Sequence, residues 1–218
     1  MTEDYKCWNR NPEIQSWQKA NGLDDDGTYA YFVNGTAAVA RANKRIPVQW
    51  VEVFETFGSA LSKDTVVHVW KDKSTLNSVL LAGYKALISD QADWYLDHEE
   101  VSWEQMYKNE PTQGLDPSVN VASLLLGGEA CLWAENVDSS VLLNTLWPRA
   151  AAVAERLWTA LPAIDSSPDL SSATDRIETF RCLLESRGVG AAPATNRVAR
   201  MAPRNPSSCY TQRGKVLE

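Results

Sequence analysis

The feature that most constrains this chain is its alternation of strand-like and helical segments. Four short apolar, β-branched runs lie at residues 46–54, 65–70, 85–89 and within 124–133. Helical signals separate them. Pro12 behind Asn11 opens a helix that should stop near Gly22, a cap followed by Pro with a Gly stop. Residues 28–44 read as a second helix, weakened by Gly35, and residues 74–81 as a third that stops at Gly83. A long helix is expected from about Val141 to Trp158. Another runs from about Leu170 to Arg187, with Ile177, Phe180, Leu183 and Leu184 on one stripe and Gly188 as its stop. From Val189 on the chain reads as irregular. Strands that alternate with helices pair in parallel through right-handed crossovers. The expected class is therefore α/β. In such sheets the chemistry gathers at the C-terminal edges of the strands.

The residues expected at those edges are aromatic. Trp50, Trp70, Tyr95 and Trp133 each stand at or just past a strand run. Each is followed two residues later by a carboxylate: Glu52, Asp72, Asp97 and Glu135. Flat rings cover the apolar CH faces of a pyranose, and carboxylates accept from its hydroxyls. One such pair could be a core ring beside a solvated acid; four in sequence favour a sugar pocket. Nine Trp in 218 residues agree with it. The net charge of −7 argues against a nucleic-acid partner. No apolar stretch reaches membrane-spanning length. The acidic first residues, Met1 to Asp4, lack the apolar core of a signal peptide. His68 and His98 have no companion ligands, so no metal and no cofactor are expected. Cys182 and Cys209 flank a Pro- and Arg-rich tail that a disulfide would tie down; four reduced thiols, with Cys7 and Cys131, are the other reading. Asn34 heads a glycosylation sequon, Asn34-Gly35-Thr36.

The block Gly127-Gly128-Glu129-Ala130-Cys131-Leu132-Trp133-Ala134-Glu135-Asn136-Val137-Asp138 is followed by Leu146-Trp147-Pro148-Arg149-Ala150 and Ala154-Glu155-Arg156-Leu157-Trp158. Together they resemble the last barrel strand and following helix of glycoside hydrolase family 20, and in particular the eukaryotic lysosomal β-hexosaminidase subunits. Cys7-Trp8, Asn11-Pro12-Glu13-Ile14-Gln15, Gln49-Trp50-Val51-Glu52-Val53-Phe54, Val69-Trp70-Lys71-Asp72, Trp94-Tyr95-Leu96-Asp97 and Glu110-Pro111 follow the family's order and spacing. The resemblance implies the C-terminal half of a (β/α)8 TIM barrel: about four parallel strands with helices over residues 1–160, then a helical and irregular tail of the same domain over 161–218. It implies β-N-acetylhexosaminidase activity on terminal N-acetylglucosamine or N-acetylgalactosamine, with the substrate's own acetamido oxygen as nucleophile. By motif position Trp50, Trp70 and Trp133 would wall the acetamido group and ring. Tyr95 would donate to the acetamido oxygen, and Asp97 and Glu135 would bind the O4 and O6 hydroxyls. A Cys182–Cys209 disulfide, a dimer, and a lysosomal, vacuolar or secreted location follow from the same likeness.

The chain departs from the family at one place. Counting back from Cys7, Met1 and Thr2 stand where the family carries its catalytic Asp–Glu pair, and Glu3 and Asp4 fall two places too late. The chain thus reads as a truncated form lacking the acid, with a non-catalytic sugar-binding remnant or an inactive fragment as alternatives. Glu129 and Glu155 are expected to be structural, paired with Arg149 and Arg156.

Overall fold

The structure is a computed structural model and describes residues 5–194. In chain order the elements are α1 (Pro12–Asn21), α2 (Asp25–Ala42), β1 (Val48–Trp50), α3 (Val51–Phe57), β2 (Val66–Val69), α4 (Lys73–Leu81), β3 (Lys85–Ile88), α5 (Gln91–Trp94), α6 (Trp103–Lys108), α7 (Val121–Leu124), β4 (Leu125–Gly128), α8 (Leu142–Leu146), α9 (Arg149–Trp158) and α10 (Ser171–Ser186). The strands form one sheet in the order β1-β2-β3-β4, with chain order equal to spatial order. β1 pairs with β2 in parallel, placing Val48 opposite Val66, Gln49 opposite Val67 and Trp50 opposite His68. The α/β architecture with parallel strands is the one the alternation predicts. No helix among the described residues is long and apolar enough to cross a membrane.

The described residues group into two compact units. The first takes residues up to Val69 with Thr75–Leu87 and Asp116–Leu126. Its local signals act as read. The Asn11 side chain accepts from the amides of Glu13 and Ile14 at 2.9 and 3.4 Å, Pro12 opens α1, and Gly22 ends it in the left-handed region. α2 begins earlier than expected because Asp24 caps it, accepting from Gly27 at 2.8 Å. All four residues of β2 are buried, as suits a strand covered on both faces. Tyr84 is fully buried and donates to the carbonyls of Leu61 and Gly58 at 2.7 and 3.0 Å.

Two expectations on element type are corrected. The run 46–54 is not one strand: β1 holds only Val48–Trp50, and α3 starts at Val51. Short apolar runs fit either period, and here burial of Val51 and Val53 is met on a helix. The helix expected over 141–158 is two helices, interrupted at Trp147 and Pro148. Proline has no N–H to donate and its ring collides with the preceding turn.

The second unit takes Trp70–Ser74, Ile88–Leu115 and the chain from Gly127. Trp103 and Tyr107 of α6, Ala152 of α9, and Ala173 and Ile177 of α10 share one core with Ile164, Leu170 and Ala194. Of the stripe expected on α10, Ile177 is buried but Leu183 is 42% exposed. The pairing expected for the two arginines is also corrected. Glu155 pairs with Arg176 at 2.5 Å and accepts from the Tyr107 hydroxyl at 3.0 Å. Arg156 pairs with Glu110 at 3.2 Å and donates to the Tyr107 carbonyl at 2.6 Å. Arg149 donates to backbone carbonyls. Sequence proximity placed these charges on one helix, but their side chains reach different neighbours.

α10 has no side-chain cap from its own preceding residue, Leu170. Asp165 supplies one from a distance: its carboxylate accepts from Ala173 N at 3.0 Å, and also from Ser167 N at 2.9 Å and Ser167 Oγ at 2.6 Å. The hydroxyl bond from Ser167, then the two amide bonds, hold its carboxyl at about 2 against an ordinary 3.8. The folded value is depressed, so the stabilisation is present above 3.8 and is lost as pH falls from there through about 2. An Asp165→Ala variant should have a lower urea midpoint than wild type at pH 7. The gap should close between pH 4 and pH 2; a gap that stays constant over that range rules out the charged cap.

Candidate active site

Three segments of the second unit, each following a strand in the chain, bring aromatic rings together. Trp70 directly follows β2, Tyr95 follows β3 through the one-turn α5, and Trp133 follows β4. The Trp70 and Tyr95 rings lie nearly parallel, 6.5 Å apart at 29°. The Tyr95 and Trp133 rings lie 6.2 Å apart at 46°. Tyr95 is therefore the middle member, and only 8% exposed.

Backbone pairing beyond the strands fixes this arrangement. Tyr95 and Cys131 form an isolated parallel bridge, with Cys131 N donating to the Trp94 carbonyl at 3.0 Å and Leu96 N to the Cys131 carbonyl at 2.7 Å. The Asp97 carboxylate accepts from Trp133 N at 3.2 Å, so it ties the end of one segment to the other. Below the pairing, Gly128 passes against Ile88: a Cβ there would stand 2.4 Å from the Ile88 carbonyl oxygen and 2.7 Å from the Trp94 ring. Only glycine allows that approach.

Arg149 fixes the segment after Tyr95. Its guanidinium donates to the carbonyls of Leu96, His98 (2.8 Å), Val101 (3.2 Å) and Thr145 (2.9 Å). Burial pushes its pKa below the ordinary value, against the pull of Glu99, Asp97 and Glu100. Sequence reasoning missed this role. A signal was present: Arg149 shares its helix face with the buried Ala152 and Val153, at three- and four-residue spacing. The Cys131 thiol is free and half-buried; burial pushes its pKa up while a bond to Ser89 pulls it down.

The other expected site residues stand as follows. Glu135 is exposed on the segment after Trp133. Trp50 belongs to the first unit, ends β1, is 42% exposed and stacks on His68. Asp72 is exposed and Glu52 half-buried. Asn34 is exposed in the middle of α2. Cys182 lies on α10; Cys209, Met1, Thr2, Glu3 and Asp4 lie outside the described residues.

Residues 3–161 match the model of glycosyl hydrolase family 20, catalytic domain. The chain belongs to this family. Among curated relatives, it is 40% identical over 207 residues to beta-hexosaminidase 1 of Arabidopsis thaliana, an alignment covering 94% of this chain and 38% of that protein. It is 37% identical over 200 residues to beta-hexosaminidase subunit alpha of Bos taurus, covering 87% and 36%. The chain thus spans under two fifths of the length of these relatives. Its fold is similar to that of a GH20 exo β-N-acetylglucosaminidase of Vibrio harveyi, solved in complex with N-acetylglucosamine. There the TM-score is 0.73 at 21% identity, covering 87% of this chain and 31% of the other. The four strands are accordingly part of a family 20 TIM barrel. The family match takes in every strand and all of α9, and ends before α10.

Proposed function

We propose that this family 20 chain carries the sugar-pocket part of a β-N-acetylhexosaminidase, an enzyme that removes terminal N-acetylglucosamine or N-acetylgalactosamine from glycans. The observation that carries the reading is the Trp70–Tyr95–Trp133 cluster at three strand ends. Its rings offer stacking surfaces to a pyranose and its acetamido methyl. The Tyr95 hydroxyl is the group to donate to the acetamido oxygen, sharpening it as the internal nucleophile and stabilising the oxazolinium that forms. Asp97 and Glu135 would accept from O4 and O6. The names of the two relatives given above, both beta-hexosaminidases, support the substrate class. The likeness to lysosomal subunits supports a lysosomal, vacuolar or secreted location, a dimer and a Cys182–Cys209 disulfide. The core shared by α6, α9 and α10 supports a tail that belongs to the barrel domain.

By the family likeness, counting back from Cys7, Met1 and Thr2 would stand at the positions of the Asp–Glu pair. That reading favours, for these 218 residues by themselves, binding without cleavage. The test is titration of the purified chain with N-acetylglucosamine-thiazoline, followed by Trp fluorescence, beside an assay on an aryl N-acetylglucosaminide. We expect saturable binding and no turnover. Trp70→Ala and Trp133→Ala should each weaken binding about tenfold, the scale of one lost stacking surface. Wild-type affinity in both variants overturns the pocket; turnover by the chain overturns the missing acid.

A further inference from the structure

We infer that Asp90 is a positioning residue for Tyr95, its carboxylate closing the turn that sets Tyr95 beside Trp70. The inference rests on the reading that Tyr95 and Trp70 line the sugar pocket. Asp90, Trp70 and Tyr95 all belong to the second unit. α5 joins the two ring residues. The Gln91 amide donates to the Trp70 carbonyl at 2.9 Å, and Tyr95 directly follows Trp94. Asp90 is the N-cap of this turn. One carboxylate oxygen accepts from the Ala92 amide at 3.1 Å, and the other from Asn109 Nδ2 at 3.4 Å. The Asp90 carbonyl accepts from the Asp93 and Trp94 amides at 3.2 and 2.7 Å. One residue thus closes the turn with both its side chain and its backbone.

A helix of a single turn has little stability of its own, because its few bonds do not offset the torsions they fix. Its two ends decide whether it persists. Trp94 anchors the far end, fully buried with Nε1 donating to the Met106 carbonyl at 3.0 Å. Asp90 anchors the near end and is 6% exposed. Burial pushes its carboxyl above the ordinary value, while the Ala92 amide pulls it down. An ionised group is costly in such a place, and the cap is what it supplies there. Without it the Ala92 amide loses its acceptor and the turn opens for part of the time. Only the closed fraction then has Tyr95 in place for a ligand. The pairing of Tyr95 with Cys131 holds the other side, so the loss is partial.

The test uses the 218-residue chain and the thiazoline titration, with thermal midpoints measured beside it. Asp90→Ala removes both carboxylate bonds; Asp90→Leu repeats the loss with a better-filling side chain should the alanine variant fail to fold. Asp90→Ser keeps the cap and gives up Asn109. Asp90→Asn keeps both, because Asn109 can turn its amide to present Oδ1, which accepts no bond among the described residues. We expect Ala and Leu to raise Kd about fivefold, the scale of one N-cap bond, and Ser and Asn to stay within about twofold of wild type. Kd values that follow the thermal midpoint across the four variants overturn the inference, since Asp90 would then be structural only. So does wild-type affinity in Ala and Leu. A Ser variant as weak as Ala also overturns it, since the contact with Asn109 rather than the cap would then matter. Tyr95→Phe separates the two layers. If it binds like wild type, the Tyr95 hydroxyl is no ligand group and the inference falls with that reading. If it binds weakly while Ala and Leu bind normally, the pocket stands and the role of Asp90 falls alone.

Discussion

Gly128→Ala should destabilise the protein by about 3 kcal/mol, the upper part of the range for forcing an extra carbon into a packed interior. Its β-carbon would meet the Ile88 carbonyl oxygen at 2.4 Å and the Trp94 ring at 2.7 Å. The oxygen is backbone and cannot rotate away. The indole is fully buried, with its Nε1 donating to the Met106 carbonyl at 3.0 Å. Relief must therefore come from moving β4 away from residue 88, where Glu129 N donates to the Ile88 carbonyl at 3.0 Å. For a chain of this length we expect the thermal midpoint to fall by roughly 6–12 °C. Gly35→Ala is the matching control. It lies within α2 with nothing inside 4 Å of a β-carbon, so the change should stabilise by about 0.5–1 kcal/mol. Equal midpoints for the two variants by calorimetry would show that the close approach at Gly128 does not exist.

Arg149→Met should cost about 3–5 kcal/mol, because it leaves carbonyls at Leu96, His98, Val101 and Thr145 without the donor they share. Methionine keeps the apolar stem and removes only the guanidinium. Arg149→Lys should recover less than half, since an ammonium is a point charge and cannot span the carbonyls a planar fork reaches. The loss should also be felt at the aromatic cluster. Residues 96–101 follow Tyr95 directly, and Asp97 within them holds Trp133 N at 3.2 Å. Thiazoline affinity should therefore drop in Arg149→Lys, although the site of substitution is on α9. An Arg149→Met variant within 1 kcal/mol of wild type by urea unfolding would contradict this account.

Much of the fold was legible because its signals are local. Asn11, Pro12 and Gly22 bound α1 by backbone preferences that need no distant partner. β-branched runs between helical segments already implied βα units in a parallel sheet. The aromatics Trp70, Tyr95 and Trp133 could be placed at strand ends from spacing alone, and the structure brings their rings together. Less of the surrounding shell could be read. Arg149 reaches a carbonyl 53 residues earlier in the chain, Asp165 caps a helix that starts six residues later, and Glu155 takes Arg176 rather than a neighbour on α9.

By itself, then, the amino-acid sequence determined the alternation of strands with helices, the strand class and which rings stand at the strand ends. Each of these follows from φ/ψ preference and side-chain period within a few residues. Only the tertiary structure decided where residues 46–54 change from strand to helix, which carbonyls Arg149 serves, and why Gly128 must lack a side chain. Those outcomes depend on what the rest of the chain leaves unfilled. A buried donor goes to the acceptors within its reach, and a β-carbon at Gly128 would stand 2.4 Å from the Ile88 carbonyl only because two segments are already side by side.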